Sequence, residues 1–305
     1  MEVNFRSDIK SWLDKLDVLQ PIPTTFCPNL KSNSPVPVKA VIFDIYGTLL
    51  ISSSGDIDQA SLSEENMLTA MKAGGFGEQH CTPKTGAFLL EQLQLKIKEQ
   101  HQELRAKGHP FPDVDIFKVW QSMFKAAVNE GLLTLNGSES WADTIMVFEL
   151  LSNRVYPMPG MKETLLWIKE KGIPMGIVSN AQFYTPIIMN YFLSGEFSTR
   201  QEIDLFEQEL SVYSFKELRA KPDTVLFEKF IPTLQSKYDI LPQEAIFVGN
   251  DMLKDVYTAS QSGLRTVLFA GDERSLRLRE NDERVHRLFP DFIINDLTQL
   301  KDILA

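Results

Sequence analysis

The spacing of hydrophobic and polar positions divides this chain of 305 residues into three parts. Apolar residues between positions 5 and 19 recur at helical spacing, and the proline-rich stretch that follows predicts an extended linker to residue 38. After one apolar strand and its turn, the spacing over residues 57–152 is helical, without a β-branched run of strand length. It predicts helices near residues 58–73, 86–107, 113–130 and 138–152.

From residue 157 onward, helical and strand-like patterns alternate, and one continuous helix is predicted over KPDTVLFEKFIPTL. The strands predicted in this part are IPMGIVSN, EAIFVGN, LRTVLFA and DFIIN. Such alternation is typical of βαβ units and a parallel sheet. We therefore expect an α/β fold with a Rossmann-like parallel sheet. The predicted division is an N-terminal helix and linker at 1–38, an α/β core at 39–52 and 154–305, and an inserted helical domain at 53–153.

Two amphipathic or charged segments lie outside the predicted sheet. The N-terminal helix is expected to dock its apolar side on the main body, with a dimer or partner contact as the alternative. The run DERSLRLRENDERVHR near the C-terminus alternates in charge sign, which predicts a solvated helix face.

Composition narrows the class of protein. The formal net charge of -10 provides no long-range attraction for nucleic acid or anionic lipid. The two cysteines, Cys27 and Cys81, form neither a disulfide framework nor a zinc-spaced array, which favours a reduced setting. Acidic residues interrupt the apolar N-terminal segment, so it lacks the core of a signal peptide, and no apolar run is long enough to span a bilayer. We expect a cytoplasmic protein without nucleic-acid or membrane partners.

Polar side chains follow the apolar strands at the points where those strands end. Because the carboxyl ends of parallel strands meet at one edge of a sheet, we expect Asp44, Ser179 and Asp251 to gather there. Each of them alone is a weak signal, because Asp and Ser at the ends of strands are routinely helix caps, and for Ser179 or Asp251 taken singly a cap is the favoured interpretation. A further candidate is Lys221, which opens a predicted helix.

Four segments, in this order, resemble the four motifs of the haloacid dehalogenase-like (HAD) hydrolases: FDIYGTLL, IVSN, the lysine of AKPD, and FVGNDMLKDV. The resemblance covers roughly residues 38–305 and puts the helical insertion where this family carries its C1 cap domain. It implies a HAD-like α/β core, a helical cap and a hydrolase site at the carboxyl edge of the sheet.

The resemblance also implies a role for each motif residue. Asp44 would be the nucleophile that forms a covalent aspartyl intermediate, which water then hydrolyses. The hydroxyls of Thr48 and Ser179 would bind the transferring oxygens, and Lys221 would neutralise charge. The expected substrate-binding residues are Ser179, Asn180 and Lys221. The implied cofactor is Mg²⁺, with the expected ligands Asp44, the carbonyl of Tyr46, Asp251 and, as a ligand or behind the ligands, Asp255.

Tyr46 departs from the phosphatases of this family, which usually carry an aspartate here as general acid and base. An ordinary tyrosine hydroxyl, with a pKa near about 10, is a poor proton shuttle at neutral pH. Tyrosine at this position instead resembles the family's 2-haloacid dehalogenases, in which the aspartate attacks carbon and halide leaves without a proton. We expect Tyr46 either to pack over the entrance of the site or to act as a weak acid.

Two features oppose dehalogenation. The dehalogenases need no metal and resemble SSN where this chain has Asn250, Asp251 and Met252, so Asp251 would place a metal-attracting carboxylate in a site for an anionic substrate. They also use an arginine early in the cap, whereas no arginine lies between Arg6 and Arg105 in this chain.

The sequence therefore predicts a Mg²⁺-dependent phosphatase that acts on a small phosphorylated metabolite through an aspartyl-phosphate at Asp44. Two alternatives stay open. Tyr46 favours a metal-independent 2-haloacid dehalogenase. The missing acid and the proline-rich N-terminal extension favour a weakly active HAD-fold binding or regulatory protein. Neither the substrate nor the oligomeric state can be read from the sequence.

Overall fold

A computed structural model describes residues 5, 8–30, 36–53 and 62–304. Its strands are β1 (Ala40–Phe43), β2 (Leu50–Ser52), β3 (Val155–Pro157), β4 (Met175–Ser179), β5 (Ser211–Tyr213), β6 (Ala245–Gly249), β7 (Arg265–Phe269) and β8 (Phe292–Ile294). Its α-helices are α1 (Ile9–Leu13), α2 (Glu64–Ala73), α3 (Pro83–Ala106), α4 (Ile116–Asn129), α5 (Trp141–Ser152), α6 (Met161–Glu170), α7 (Thr185–Ser194), α8 (Ser214–Glu217), α9 (Val225–Glu228), α10 (Ile231–Tyr238), α11 (Thr258–Gln261) and α12 (Leu300–Leu304). A π-helical turn spans Met252–Tyr257. No helix within the described ranges is long and apolar enough to cross a bilayer.

Six strands form one sheet in the order β5-β4-β1-β6-β7-β8, and every neighbouring pair is parallel. All residues of β1, β4, β6 and β7 are buried, as expected for a parallel sheet that is covered on both faces. The structure confirms the predicted α/β fold. The edge strand β5 is not among the predicted strands; it adds three residues, Ser211–Tyr213, to one side of the sheet.

Helices α2 to α5 form the insertion, between β2 and β3 in the chain. Each begins at a polar side chain that accepts a backbone N–H of the first turn, which satisfies one of the donors that a helix start leaves open. These capping residues are Ser63, Thr82, Asp115 and Ser140. The helices lie where the sequence predicts them, except that residues 58–61 fall outside the described residues. Strands β2 and β3 pair antiparallel at the junction of insertion and core.

The N-terminal segment packs against the core. Helix α1 buries Ile9 and Leu13 in the main hydrophobic cluster, which agrees with the predicted docking, although it is shorter than the spacing over residues 5–19 indicates. Residues 20–30, called the strap below, then run to the edge strand β8. There Asn29 and Ile293 exchange two backbone hydrogen bonds, with N···O distances of 2.8 and 3.0 Å.

Two local predictions are wrong. The segment KPDTVLFEKFIPTL forms two short helices, α9 and α10, because Pro232 starts a new first turn instead of continuing the helix. The charged run 272–287 contains no helix and forms turns between β7 and β8. Its first residue, Asp272, is buried and accepts the backbone N–H of Ile22 of the strap at 2.8 Å. A side chain that binds backbone groups in this way competes with helix formation.

Candidate active site

The carboxylate of Asp44 lies at the carboxyl end of the central strand β1. Its backbone N–H donates to the carbonyl of Val248 on β6 at 2.9 Å, so the sheet register fixes the residue directly. Its side chain is nearly sealed, since only 6% of the residue is exposed. The chain then turns at Gly47, where φ is +83°, a value that glycine adopts without steric cost. This sharp turn leaves Asp44 at the end of the strand.

Lys221 joins two carboxylates in the buried site. Its ammonium Nζ lies 2.7 Å from Oδ1 of Asp44 and 2.5 Å from Oδ1 of Asp255. Burial acts to lower the pKa of Lys221, but Asp255 and Asp44 outweigh it, so its pKa lies above the ordinary value. Asp255 comes this close because Gly249 has no side chain: a Cβ there would lie 2.4 Å from Cγ of Asp255. The lysine thus forms ion pairs with the predicted nucleophile and with Asp255 at the same time.

Asn180 positions this lysine from behind. Its Oδ1 accepts the backbone N–H of Lys221 at 2.8 Å, and its Nδ2 lies 3.5 Å from the carbonyl of Lys221. Both contacts of Asn180 are with backbone atoms of Lys221, so the ammonium group of Lys221 can bind the two carboxylates. In this arrangement Asn180 supports the lysine, whereas the sequence predicts that it binds substrate, a role that stays a prediction.

The two predicted hydroxyl donors differ in their partners. Ser179 is fully buried at the end of β4, and its Oγ has no hydrogen-bond partner among the described residues. A buried hydroxyl without a partner is uncommon in folded proteins and calls for an explanation such as a bound group. Thr48 instead donates to Oδ1 of Asn250 at 3.2 Å. Ser179 is therefore the donor available to a substrate oxygen.

Tyr46 follows Asp44 by two residues and points into the boundary between core and insertion. Its hydroxyl lies 2.9 Å from Oγ1 of Thr185, which also accepts the backbone N–H of Gln182. Burial, with a further contribution from Glu149 of α5, raises the pKa of Tyr46 far above its ordinary value. The hydroxyl is therefore neutral and fixed in a hydrogen bond.

Glu149 is the carboxylate of the insertion that acts on this region. It accepts a hydrogen bond from the hydroxyl of Tyr184, and its Oε1 lies 3.4 Å from Nδ2 of Asn153. Burial raises the pKa of Glu149, and these two donors offset part of that rise. Glu149 could not be recognised from the sequence, because one glutamate in an apolar helix gives no chemical pattern.

The carboxylate of Asp251 is bound by Arg279 of the β7–β8 loop, which connects Phe269 to Phe292. The guanidinium of Arg279 approaches it as a fork, with Nε and Nη2 at 3.0 and 2.6 Å from Oδ2. Oδ1 accepts the backbone N–H groups of Leu253 and Lys254 at 2.8 and 3.0 Å, which makes Asp251 the cap of the π-helical turn. Burial acts to raise the pKa of Asp251, but Arg279 and these amides outweigh it, so the pKa is lowered.

Few side chains of the site are arranged to hold the predicted magnesium ion. Among the residues that the structure describes, no three His, Cys, Asp or Glu side chains converge as a ready metal cage. A single buried carboxylate beside backbone carbonyls still suits Mg²⁺, which retains several waters and takes few protein ligands. Asp44 fits that description. Asp251 does not, because Arg279 and two amides occupy its oxygens.

Sequence reasoning missed Arg279, which lies in the charged run assigned to a solvated helix. The sequence gives only a weak indication of this role. The run contains five arginines among aspartates and glutamates, and nothing in their spacing distinguishes Arg279 from the other four. Arg279 reaches Asp251 because of the path of the loop backbone, in which Arg277 forms a parallel bridge with Asp251 two residues earlier.

Comparison with known proteins identifies relatives in sequence and in fold. The chain is 28% identical over 148 residues to a glyceraldehyde 3-phosphate phosphatase from Pyrococcus furiosus, covering 48% of this chain and 54% of that protein. It is 27% identical over 157 residues to a phosphoglycolate phosphatase from Nitrosococcus oceani, covering 50% of this chain and 60% of that protein. The matched part thus spans less than two thirds of these relatives.

A solved structure shares the fold across most of the chain. The 2-haloacid dehalogenase from Pseudomonas syringae pv. Tomato DC3000 superposes with a TM-score of 0.56, at 19% identity, over 88% of this chain and 98% of that one. The sequence profile of the haloacid dehalogenase-like hydrolases matches residues 38–263. The chain therefore belongs to the haloacid dehalogenase-like hydrolases.

Proposed function

We propose that this hydrolase is a Mg²⁺-dependent phosphatase for a small phosphorylated metabolite and that Asp44 is its nucleophile. The observation that carries the proposal is the pairing of Asp44 with Lys221 at 2.7 Å, close to the end of β4, where the Ser179 hydroxyl has no partner among the described residues. A fixed carboxylate and a fixed cation with a free donor suit an anionic group that transfers to the carboxylate. The phosphatase names of the two curated relatives support the same substrate class.

In the proposed reaction, a carboxylate oxygen of Asp44 attacks phosphorus and the bond from phosphorus to the ester oxygen breaks. The departing alkoxide takes a proton and leaves as the alcohol. Water then attacks the aspartyl-phosphate, which releases inorganic phosphate and restores the carboxylate. Ser179 donates to a non-bridging oxygen, and Lys221 limits the build-up of negative charge. Positioning and charge neutralisation are the main sources of rate in such transfers.

The magnesium ion of this proposal would be held at Asp44 and the carbonyl of Tyr46, with Asp255 behind Lys221. When bound, the ion neutralises charge on the transferring group. Asp255 keeps its place through two bonds, to the ammonium of Lys221 and from the backbone N–H of Asp251 at 3.0 Å. It therefore acts on the site by holding the lysine.

Tyr46 does not supply the proton in this proposal. Its hydroxyl is bonded to Thr185, and the rise in its pKa leaves it a very weak acid. Protonation of the alkoxide then falls to water, which favours substrates with good leaving groups and a modest turnover rate. A slow phosphatase is thus the form of the function that agrees with this site.

The test is phosphate release from a panel that contains glyceraldehyde 3-phosphate and phosphoglycolate, the substrates named for the relatives. We expect release that needs Mg²⁺, stops with excess chelator and disappears in Asp44→Asn. Equal release with chelator would contradict the metal requirement. Full activity of Asp44→Asn would remove the nucleophile.

Tyr46 keeps two alternatives open. Halide release from a 2-chloro- or 2-bromoalkanoate, undiminished by chelator, would favour the dehalogenase reading over the phosphatase. Tight binding of a phosphorylated metabolite without turnover across the panel would favour a binding or regulatory protein, as the missing acid suggests. A cytoplasmic location and the absence of nucleic-acid and membrane partners stay predictions from composition.

A further inference from the structure

Helix α1 lies outside the part of the chain that matches the family, since the matched region begins at residue 38. It has five residues, and a helix of this length does not persist in water without tertiary contacts. Asp8 caps it by accepting the backbone N–H of Ser11 at 3.2 Å, and its apolar residues Ile9 and Leu13 are buried. Packing against the rest of the molecule therefore holds α1 in place.

The helix contacts both sides of the boundary between insertion and core. It packs against α5, the last helix of the insertion. On the core side, Oδ1 of Asp14 accepts the hydroxyl of Tyr191 in α7 at 2.5 Å, and the ammonium of Lys10 lies 5.9 Å from the centre of the same ring. Just before α1, Phe5 meets Phe197 edge to face, with 5.5 Å between the ring centres. One short segment thus joins a helix of the insertion to a helix of the core.

The chain that follows α1 is bonded to the place where the backbone passes between core and insertion. Oδ2 of Asp17 lies 2.6 Å from Nη1 of Arg154, whose carbonyl accepts the backbone N–H of Ser53 at 2.8 Å. Ser53 follows β2 and Arg154 precedes β3, so they mark the points where the chain leaves and re-enters the core. Because the ion pair is exposed, the buried apolar residues of α1 contribute most of the binding.

The two helices that α1 joins also meet beside the active site. Glu149 of α5 accepts the hydroxyl of Tyr184, the residue immediately before α7. Thr185, the first residue of α7, shares a hydrogen bond with Tyr46. A change in the position of α5 relative to α7 therefore alters contacts that reach within two residues of Asp44 in the chain.

The insertion also closes on the core at the loop before Lys221. The backbone N–H of Ala220 donates to the carbonyl of Phe111 at 2.8 Å, and the N–H of Asp113 donates to the carbonyl of Leu218 at 3.2 Å. Lys221 is buried directly after this pairing. A substrate that binds the lysine therefore enters when the insertion separates from the core and these bonds break.

We propose that residues 8–17, called the brace below, hold the insertion closed on the core, so that entry to the active site depends on release of this segment. A segment attached on both sides of a hinge restrains motion about it, because opening must break its contacts on one side. The inference goes beyond the proposed reaction: it concerns the movement of the insertion, and its test needs no turnover.

Hydrogen–deuterium exchange, resolved to single residues, measures this movement. The backbone N–H groups of Asp113 and Ala220 are the reporters, since their bonds cross from insertion to core. The N–H of Asp44 is the reference, because it is bonded to Val248 within the parallel sheet. In the wild type we expect the reporters to exchange faster than the reference, because they open with the insertion alone.

Two variants weaken the brace to different extents. Leu13→Ala removes its buried contact, and we expect both reporters to exchange about tenfold faster or more. Tyr191→Phe keeps the ring and removes only the bond to Asp14, so we expect an acceleration of about threefold. Val18→Ala is the matched control, because Val18 follows the brace and is exposed, and it should leave both reporters unchanged.

Two results would overturn the brace. Reporters that exchange as slowly as the reference in the wild type would show that the insertion does not open by itself. Reporters that exchange faster than the reference but keep the wild-type rate in Leu13→Ala and Tyr191→Phe would show that opening does not involve α1. If Leu13→Ala does not fold, Tyr191→Phe decides alone, since it removes a single hydrogen bond at the surface.

Discussion

The hydroxyl oxygen of Tyr46 lies 2.9 Å from the hydroxyl oxygen of Thr185. Tyr46 occupies the sequence position at which phosphatases of this family usually carry an aspartate that acts as general acid. A hydroxyl held in this bond, with a pKa raised far above its ordinary value, transfers no proton at neutral pH. Tyr46→Phe should therefore lower kcat for phosphate esters by less than about threefold, whereas loss of a true general acid costs 10²-fold or more, roughly. Steady-state kinetics with a substrate that has a poor leaving group decides between them.

The complementary change should improve the enzyme. Tyr46→Asp places a carboxylic acid where a leaving alkoxide needs a proton, and we expect kcat for alkyl phosphates to rise by about tenfold or more. Aryl phosphates, whose leaving groups need little protonation, serve as the internal control and should change less. A thermal melt of the variant checks that it folds. Inactivation of a folded Tyr46→Asp, together with inactivation of Tyr46→Phe, would show that the tyrosine itself takes part in the reaction.

The salt bridges of Lys221 should be important for stability as well as for catalysis. Lys221→Met leaves the buried carboxylates of Asp44 and Asp255 without their shared cation, so we expect the free energy of unfolding to fall by about 3–5 kcal/mol. Urea denaturation measures the change. Lys229→Met is the control, because Lys229 forms a half-exposed pair with Glu217 and should cost less than about 1 kcal/mol. Equal costs in the two variants would contradict the structural role of the buried pair.

Glu149 should make stability depend on pH. Because burial raises its pKa, the folded protein retains this proton to a higher pH than the unfolded chain does. Stability from this group is therefore lost as the pH rises from the ordinary glutamate pKa, near about 4.3, through the raised value. Glu149→Gln removes the loss and should gain stability relative to wild type at pH 8 but not at pH 4. Denaturation at both pH values, with the exposed Glu130→Gln as control, measures it; an equal effect at both would contradict the assignment.

Helix α1 should contribute to the stability of the fold, because it packs in the main hydrophobic cluster. Leu13 is 2% exposed in the main hydrophobic cluster, so Leu13→Ala should lower the free energy of unfolding by about 2–5 kcal/mol. Val18, 63% exposed in the same segment, is the control, and Val18→Ala should change it by less than about 0.5 kcal/mol. Chemical denaturation gives both values. A Leu13→Ala variant as stable as Val18→Ala would show that the helix is not docked in solution.

The sequence could predict the parts of this molecule that depend on periodicity and strand ends. The parallel sheet and the four helices of the insertion follow from apolar spacing, and Asp44 follows from its place at the end of an apolar run. Asp44 and Lys221 meet in the structure, as the resemblance to the family implies. The residue-level roles and the domain boundaries at 38, 53 and 153 stay predictions.

The parts that escaped prediction depend on long-range contacts. Asp272 accepts a hydrogen bond from the backbone of Ile22 in the strap, which lies 250 positions earlier in the chain, and the run that it begins forms no helix. Arg279 binds Asp251 because the backbone of Arg277 pairs with that of Asp251 at the start of the π-helical turn. The local spacing of residues does not predict this pairing. Asn250 and Asp251 have similar side chains and adjacent positions, and only the structure shows that Asn250 bonds to Thr48 and Ser275 whereas Asp251 bonds to Arg279.

A phosphoryl group on Asp44 is the direct product of the proposed nucleophilic attack, and mass spectrometry can detect it. Wild-type protein, mixed with phosphoglycolate or glyceraldehyde 3-phosphate and Mg²⁺ and quenched in acid, is digested and examined by mass spectrometry. We predict that the peptide containing Asp44 gains the mass of one phosphoryl group and that Asp44→Asn shows neither this adduct nor phosphate release. Phosphate release by Asp44→Asn at the wild-type rate, without any adduct on the wild-type peptide, would show that Asp44 is not the nucleophile.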